Sequence, residues 1–247
     1  MNRRERIYIG CSGWQYRHWS GDFYPPALPQ RLRLEYYATR FETVEVNNSF
    51  YKLPTEGLMA GWHDRVPEHF MFAVKASRYL THMKKLRTPD ASLAILFERA
   101  QELKSKLGPV LYQLPPQLHN NVERLKQFLG KLDRYPAVKH VLEFRHPSWY
   151  NDNVLTLLEQ HDVAMCLHDM AGSEGPREAV ATFLYVRFHG TLDKYAGGYS
   201  SQSLGEWARW LCRQKKPAFV YFNNDVGGQA PKDASKLKTL VASRSNG

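Results

Sequence analysis

Cysteine is scarce in this sequence, and no apolar run reaches the length of a membrane span. The chain has 3 cysteines among 247 residues, and they stand far apart at Cys11, Cys166 and Cys212. An odd, widely spaced set in apolar surroundings is typical of buried thiols in a reducing compartment. Only Ile7, Tyr8 and Ile9 separate the arginine-rich N-terminus from Gly10, so we expect no signal peptide. Together these features predict a cytoplasmic protein.

Acidic residues are in the minority. The chain has 34 Lys and Arg against 24 Asp and Glu, which gives a formal charge of +10. This excess favours anionic partners such as phosphorylated metabolites or nucleic acid, and nothing suggests a membrane. Hydrophobic residues make up 43% and charged residues 23%, values that exclude a disordered, collagen-like or coiled-coil chain.

Several common catalytic motifs are missing. The sequence contains no P-loop, no G-x-G-x-x-G, no H-E-x-x-H, no C-x-x-C and no G-x-S-x-G. Dinucleotide, P-loop nucleotide, zinc-protease and serine-hydrolase chemistries therefore lose their usual sequence support, and we predict no cofactor.

Short β-type apolar runs alternate with helical patterns along the whole chain, which predicts parallel βαβ units. Eight such runs predict one closed TIM-like (β/α)8 barrel, an α/β domain covering residues 1–247. The predicted strands are Ile7 to Cys11, Thr43 to Asn47, Met71 to Lys75, Val110 to Gln113, Val138 to Arg145, Ala164 to His168, Phe183 to His189, and Ala218 to Asn223.

Two connections are predicted in more detail. Apolar residues recur at helical spacing from Leu93 to Leu107, and Gly108-Pro109 predicts the end of that helix. The connector from Asp169 to Ala181 is short and rich in glycine, so we expect the sixth helix to be degenerate or absent.

Polar residues gather at the carboxyl ends of the predicted strands. Barrel interiors are normally aliphatic, and active sites of this fold lie at the C-terminal mouth. The strand-end residues are Glu45, Asn47, Lys75, Gln113, Glu143, Arg145, His168, Arg187, His189 and Asn223. The set predicts a site at the mouth. The alternative for Glu143 and Arg145 is a purely structural salt bridge to neighbouring residues, and the alternative for Lys75 is a structural pairing with a carboxylate across the barrel.

The charges in this set favour an anionic substrate. We predict an enzyme, of hydrolase, lyase or isomerase type, that performs acid–base or hydrolytic chemistry on a phosphorylated or otherwise anionic compound. Lys75 and Glu143 would exchange protons, with His189 as an auxiliary acid or base. The predicted substrate-binding residues are Glu45, Asn47, Arg78, Gln113, Arg145, His168, Arg187 and Asn223, of which Arg145 and Arg187 would clamp the anion.

Other functions stay open. A nucleic-acid-binding protein would use the basic loop from Arg78 to Arg87 as a phosphate track and aromatic residues near the mouth for stacking. A metal-dependent phosphodiesterase or nuclease would need a divalent ion, with which the strand-end cations compete. Its candidate ligands are Glu143, His168 or Asp169, His189 and Asp225. A scaffold without turnover is the third alternative.

Seven segments carry a resemblance to a known family. They are Gly10-Cys11-Ser12-Gly13-Trp14 with Phe23-Tyr24-Pro25, Glu45-Val46-Asn47-Asn48-Ser49-Phe50-Tyr51, Lys75-Ala76-Ser77-Arg78 with Thr81-His82, Gln113-Leu114-Pro115-Pro116, Glu143-Phe144-Arg145-His146-Pro147-Ser148-Trp149, Tyr185-Val186-Arg187-Phe188-His189-Gly190 and Tyr221-Phe222-Asn223-Asn224-Asp225. In these segments the chain resembles the YecE-like family of bacterial and archaeal proteins, whose function is unknown. The resemblance implies a TIM-like barrel and supplies no activity. The shape of that barrel is similar to apurinic-site endonucleases, which keeps nucleic-acid processing open by analogy only.

Overall fold

Eight strands form a closed parallel barrel in the order β1 to β8, as the sequence predicts. The computed structural model describes residues 6–170, 175–192 and 195–245. The strands are β1 Ile7–Cys11, β2 Thr43–Val46, β3 Met71–Lys75, β4 Leu107–Gln113, β5 His140–Glu143, β6 Ala164–Asp169, β7 Leu184–Phe188 and β8 Ala218–Phe222. The predicted TIM-like (β/α)8 fold is therefore confirmed. No helix in these residue ranges combines the length and the apolar character needed to cross a bilayer.

Helices follow seven of the eight strands in the described residues. They are α1 Arg33–Ala38, α2 Glu56–Asp64, α3 Asp90–Gln101, α4 Val122–Leu132, α5 Asp152–Gln160, α6 Ser201–Arg213 and α7 Gln229–Ser245. Between β6 and β7, residue 170 and residues 175–183 form no helix, in agreement with the expected degenerate sixth unit. The part of that connector at 171–174 lies outside the described residues.

The helix expected to run to Leu107 is shorter than predicted. It ends at Gln101, and the chain then passes through Lys104 in a left-handed conformation with φ of 46°. Leu107 begins β4, so Gly108 and Pro109 lie in a strand and do not stop a helix. A Cβ on Gly108 would lie 3.0 Å from the Phe72 carbonyl oxygen, which explains why glycine occupies this close approach of β4 to β3.

The chain divides into two compact units. The first unit contains the described residues within Met1–Glu45, His168–Glu174 and Phe183–Gly247, and the second contains Val46–Leu167 and Gly175–Thr182. In the first unit, β8 pairs with β7 on one side and with β1 on the other, each in parallel over five residues. Helices α6 and α7 pack together, and α7 also packs on β1.

The second unit contains β3, β4 and β5, which pair in sequence order, and most of β6. Its helices pack as the pairs α2 with α3 and α4 with α5. Aromatic contacts connect strands to helices: Phe72 of β3 stacks on Trp62 of α2, and Tyr112 of β4 meets Phe128 of α4 edge to face. Each such side chain contributes about 1.5–3 kcal/mol when fully buried, so these contacts stabilise the packing of the helices on the strands.

Candidate functional site

All ten polar residues predicted at strand ends stand at or just beyond the carboxyl end of their strands. Six lie within the last two residues of a strand, namely Glu45, Lys75, Gln113, Glu143, His168 and Arg187. Four follow a strand by one or two residues, namely Asn47, Arg145, His189 and Asn223. Arg78 follows β3 by three residues. This placement agrees with the position of active sites in barrels of this type, and each unit has its own group of these residues.

In the first unit, a buried ion pair occupies the ends of β2 and β7. An Arg187 Nη2 lies 2.9 Å from a Glu45 Oε2, and both side chains are 0% exposed. The Tyr185 hydroxyl donates to the other Glu45 oxygen at 2.7 Å. Burial raises the pKa of this phenol well above its usual value, so it stays a donor at all physiological pH values. The positive charge of Arg187 is thus balanced by Glu45.

Two buried imidazoles follow in the same unit. The ring centroids of His168 and His189 are 6.5 Å apart, at an interplanar angle of 71°. The His189 backbone N–H donates to the Asp169 carbonyl oxygen at 2.8 Å, and the Asn223 amide nitrogen lies 3.4 Å from the His189 Nδ1. These contacts position His189 between the ends of β6 and β8, which suits either proton transfer or a structural role.

The acidic residues suggested as metal ligands in this unit bind other partners. Asp225 accepts from the Trp19 indole N–H at 2.6 Å and pairs with the His18 Nε2 at 2.9 Å. Asp169 accepts from the Tyr199 hydroxyl at 3.2 Å and from an indole N–H of α6. Within residues 6–170, 175–192 and 195–245, no three His, Cys, Asp or Glu side chains come together as a metal site. The metal-dependent alternative gains no support from this part of the chain.

In the second unit, Lys75 ends β3 beside an aromatic ring. Its Nζ lies 4.4 Å from the centroid of Phe50, and the residue is buried. The Ser49 hydroxyl donates to the Lys75 carbonyl oxygen at 2.6 Å, so the loop after β2 holds the end of β3. A cation over a ring face gains about 0.5–2 kcal/mol, which orients the ammonium group.

Lys75 forms a basic cluster with Arg78 and His82, and we call these three residues the β3 basic cluster. The pKa of His82 is lowered from its usual 6.5 by burial first, and then by the positive charges of Lys75 and Arg78. The His82 ring meets Phe50 edge to face at 5.1 Å, and its Nδ1 lies 2.9 Å from the Thr81 hydroxyl. His82 is therefore a neutral imidazole at pH 7, able to accept a proton in a positive environment.

The remaining second-unit residues lie on β4 and β5. Gln113 and Glu143 are register partners, so their side chains project to the same face of the sheet. An Arg145 Nη2 is in direct contact with a Glu143 Oε1, and both side chains are buried. The charge of Arg145 is thus balanced by Glu143. Lys75 is the register partner of Leu111, which lies two residues before Gln113. Lys75 and Glu143 thus stand two strands apart, and two strand spacings measure about 10 Å across the sheet.

His82 and Phe50 were not predicted as site residues. In the sequence, His82 appears only as a member of the basic loop from Arg78 to Arg87, and Phe50 only as a member of an aromatic-rich segment. His82 lies in a π-helix at Tyr79–Met83, a local geometry that apolar periodicity does not reveal and that is often found at functional sites.

A closed parallel barrel with polar side chains at the carboxyl ends of its strands defines a TIM-barrel protein. Within that class, the chain belongs to the family described as "Protein of unknown function DUF72", whose sequence profile matches residues 8–247. The predicted resemblance to YecE-like proteins is confirmed.

Relatives of this family include proteins from several bacteria. The chain is 27% identical to the UPF0759 protein YunF of Bacillus subtilis, over 95% of this chain and 94% of that protein. It is 28% identical to the UPF0759 protein YecE of Escherichia coli K12, over 58% of this chain and 50% of that one. The crystal structure of a DUF72 family protein from Thermotoga maritima superposes with a TM-score of 0.85 at 26% identity, covering 96% of this chain and 99% of that one.

Proposed function

We propose that this protein is an enzyme that binds a phosphorylated or otherwise anionic substrate at the β3 basic cluster and performs acid–base chemistry on it. The observation that carries the proposal is the electrostatic environment of His82. The two charged groups that shift its pKa, Lys75 and Arg78, are both positive. A site that accumulates positive charge around a neutral imidazole is suited to an anion.

The two predicted anion clamps, Arg145 and Arg187, take a different role in this proposal. Arg187 is paired with Glu45, and Arg145 is paired with Glu143, so each guanidinium already has a carboxylate partner. We assign anion binding to Lys75 and Arg78, because their positive charges both act on His82. The part assigned to His189 as an auxiliary acid or base stays a prediction.

The acid–base step uses the groups that face the substrate in the second unit. The Lys75 ammonium donates a proton, and the Glu143 carboxylate, held in place by Arg145, accepts one. Neutral His82 is a second proton acceptor close to the bound anion. One proton given and one taken suits an isomerisation, an elimination or a hydrolysis. Gln113, next to Glu143 in the sheet register, would orient neutral groups of the substrate by hydrogen bonds.

A substrate screen with matched variants tests this function. The purified protein is incubated with a panel of phosphorylated and carboxylated metabolites, and turnover is followed by ³¹P and ¹H NMR. Glu143→Gln and Lys75→Met should each lower kcat by about 10²–10⁴, because each removes a proton-transfer group. The controls are Glu98→Gln on α3 and Lys126→Met on α4, which make the same chemical changes at exposed positions.

Two results would contradict the proposal. The first is a panel in which no anionic compound is bound or turned over. The second is an identified substrate that Glu143→Gln and Lys75→Met convert at the rate of the two control variants, with all four proteins folded by circular dichroism.

A further inference from the structure

A second basic feature lies further along the loop after β3, and we call it the basic pocket. It is a cavity of about 550 Å³ between this loop and the segment that leads into α4. Its lining residues are Met83, Lys84, Lys85, Arg87, Leu118 and Arg124. None of the residues of the β3 basic cluster lines it, so the two features are separate places on the second unit.

The basic pocket brings together four cations without a carboxylate. Within the described residues, Lys84, Lys85, Arg87 and Arg124 make no salt bridge. Burial and the positive charge of Arg87 lower the pKa of Arg124 from its usual value. Like charges around one cavity repel each other, so an anion bound in the cavity would offset the electrostatic repulsion between the four cations.

The backbone holds the pocket in an uncommon conformation. Lys85 and Leu86 have φ angles of 49° and 69°, in the left-handed region that residues with a Cβ seldom adopt. They follow the π-helix at Tyr79–Met83, and an Arg124 Nη1 lies 3.5 Å from the Lys85 carbonyl oxygen. Two adjacent strained residues persist only where the surroundings require them, and such strain clusters at ligand sites.

The start of α4 adds a further positive contribution. Asn121 caps the helix by accepting from the Arg124 backbone N–H at 2.8 Å, which places Arg124 in the first helical turn. Arg124 thus joins the pocket from the start of a helix, where the helix dipole leaves a partial positive charge.

We propose that the basic pocket binds a compact oligophosphate group, either as inorganic triphosphate or as the phosphate tail of a nucleoside triphosphate. Four positive charges around one cavity match the charge of a triphosphate, whereas a nucleic-acid strand spreads its phosphates along a track. Next to the four cations, Met83 is 67% exposed and Tyr79 is 39% exposed, with the Lys84 Nζ 5.2 Å from the Tyr79 ring centroid. An exposed ring and thioether provide a contact surface for a nucleoside base.

Calorimetric titration with four probes tests this site. Inorganic triphosphate and ATP are each titrated into the wild-type protein, and inorganic phosphate and a 20-nucleotide single-stranded DNA serve as comparison ligands. One equivalent of triphosphate should bind with a Kd below about 1 mM, and inorganic phosphate should bind at least tenfold more weakly because it engages fewer cations. Tighter binding of ATP than of triphosphate identifies a nucleoside triphosphate as the ligand, and equal binding identifies the oligophosphate alone.

Charge-removing variants test whether triphosphate binding depends on the basic pocket itself or on the overall positive charge of the protein. Arg87→Gln/Arg124→Gln should weaken triphosphate binding at least tenfold. The control Lys126→Gln/Arg209→Gln removes the same charge at exposed positions outside the pocket and should change binding less than threefold. Lys85→Asn is a second variant, since asparagine tolerates a positive φ and the loop keeps its shape.

Three results would overturn the proposal: no triphosphate or ATP binding at millimolar concentration, equal loss in the pocket and control variants, or DNA binding without triphosphate binding. Lys75→Met distinguishes the pocket from the proposed enzyme site, because it should lower kcat by about 10²–10⁴ and leave triphosphate affinity within threefold.

Discussion

The ion pair between Glu45 and Arg187 gives the sharpest test of how the barrel balances its internal charges. Arg187→Met removes the cation and leaves the Glu45 carboxylate buried. Breaking a buried pair on one side costs about 3–5 kcal/mol, a large fraction of the total stability of about 5–15 kcal/mol that a domain has. For a chain of this length that loss lowers Tm by about 10 °C.

The double variant Glu45→Gln/Arg187→Met should recover part of that loss. A glutamine keeps an acceptor oxygen for the Tyr185 hydroxyl, which lies 2.7 Å from Glu45, and removes the buried charge. The two single substitutions and the double variant form a double-mutant cycle. The free energy of unfolding of each protein is measured by urea denaturation, which is monitored by tryptophan fluorescence, and the slope m should be the same for all of them. A loss of less than about 1 kcal/mol in Arg187→Met, or two single losses that add without coupling, would show that Glu45 and Arg187 do not balance each other.

Two further predictions concern stability. Burial lowers the pKa of His140 to about 4 from 6.5, so the folded state favours the neutral ring. The stability that this ring contributes is complete above pH 6.5, and it falls by about 3 kcal/mol as the pH drops from 6.5 to 4. Urea titrations should find this loss reduced in His140→Phe. Gly190 has φ of 107°, and a Cβ there would lie 2.1 Å from the Ala196 carbonyl oxygen, so Gly190→Ala should lower the free energy of unfolding by at least about 2 kcal/mol. Gly130→Ala in α4 should raise it by about 0.5–1 kcal/mol. A higher Tm for Gly190→Ala than for Gly130→Ala would refute this prediction.

The barrel was predictable from the sequence because each strand is a short apolar run bounded by turn residues. β1 and β3 have the predicted bounds, whereas β5 covers His140–Glu143 and is shorter than the predicted strand from Val138 to Arg145. The helix before β4 was predicted too long because Leu103 and Leu107 continue the apolar spacing, and spacing does not show that Lys104 adopts a left-handed conformation.

The positions of the polar residues were predictable, but their partners were not. Strand ends follow from the fold, so Glu45 and Arg187 were expected at the carboxyl ends of β2 and β7. Their pairing joins residues 142 positions apart, and it depends on side-chain directions that the sequence pattern does not contain. The role of His82 was missed for a related reason, since the sequence pattern shows neither the π-helix at Tyr79–Met83 nor the effect of the Lys75 and Arg78 charges on the ring.

The β3 basic cluster is proposed to bind an anion, and NMR titration of the His82 ring detects that binding at the cluster itself. In the free protein the pKa of His82 should lie below its usual 6.5, because of burial and the charges of Lys75 and Arg78. Inorganic phosphate at saturating concentration should raise that pKa, and Lys75→Met should raise it without phosphate and weaken the phosphate response. A pKa at or above 6.5 that neither phosphate nor Lys75→Met changes would contradict the claim.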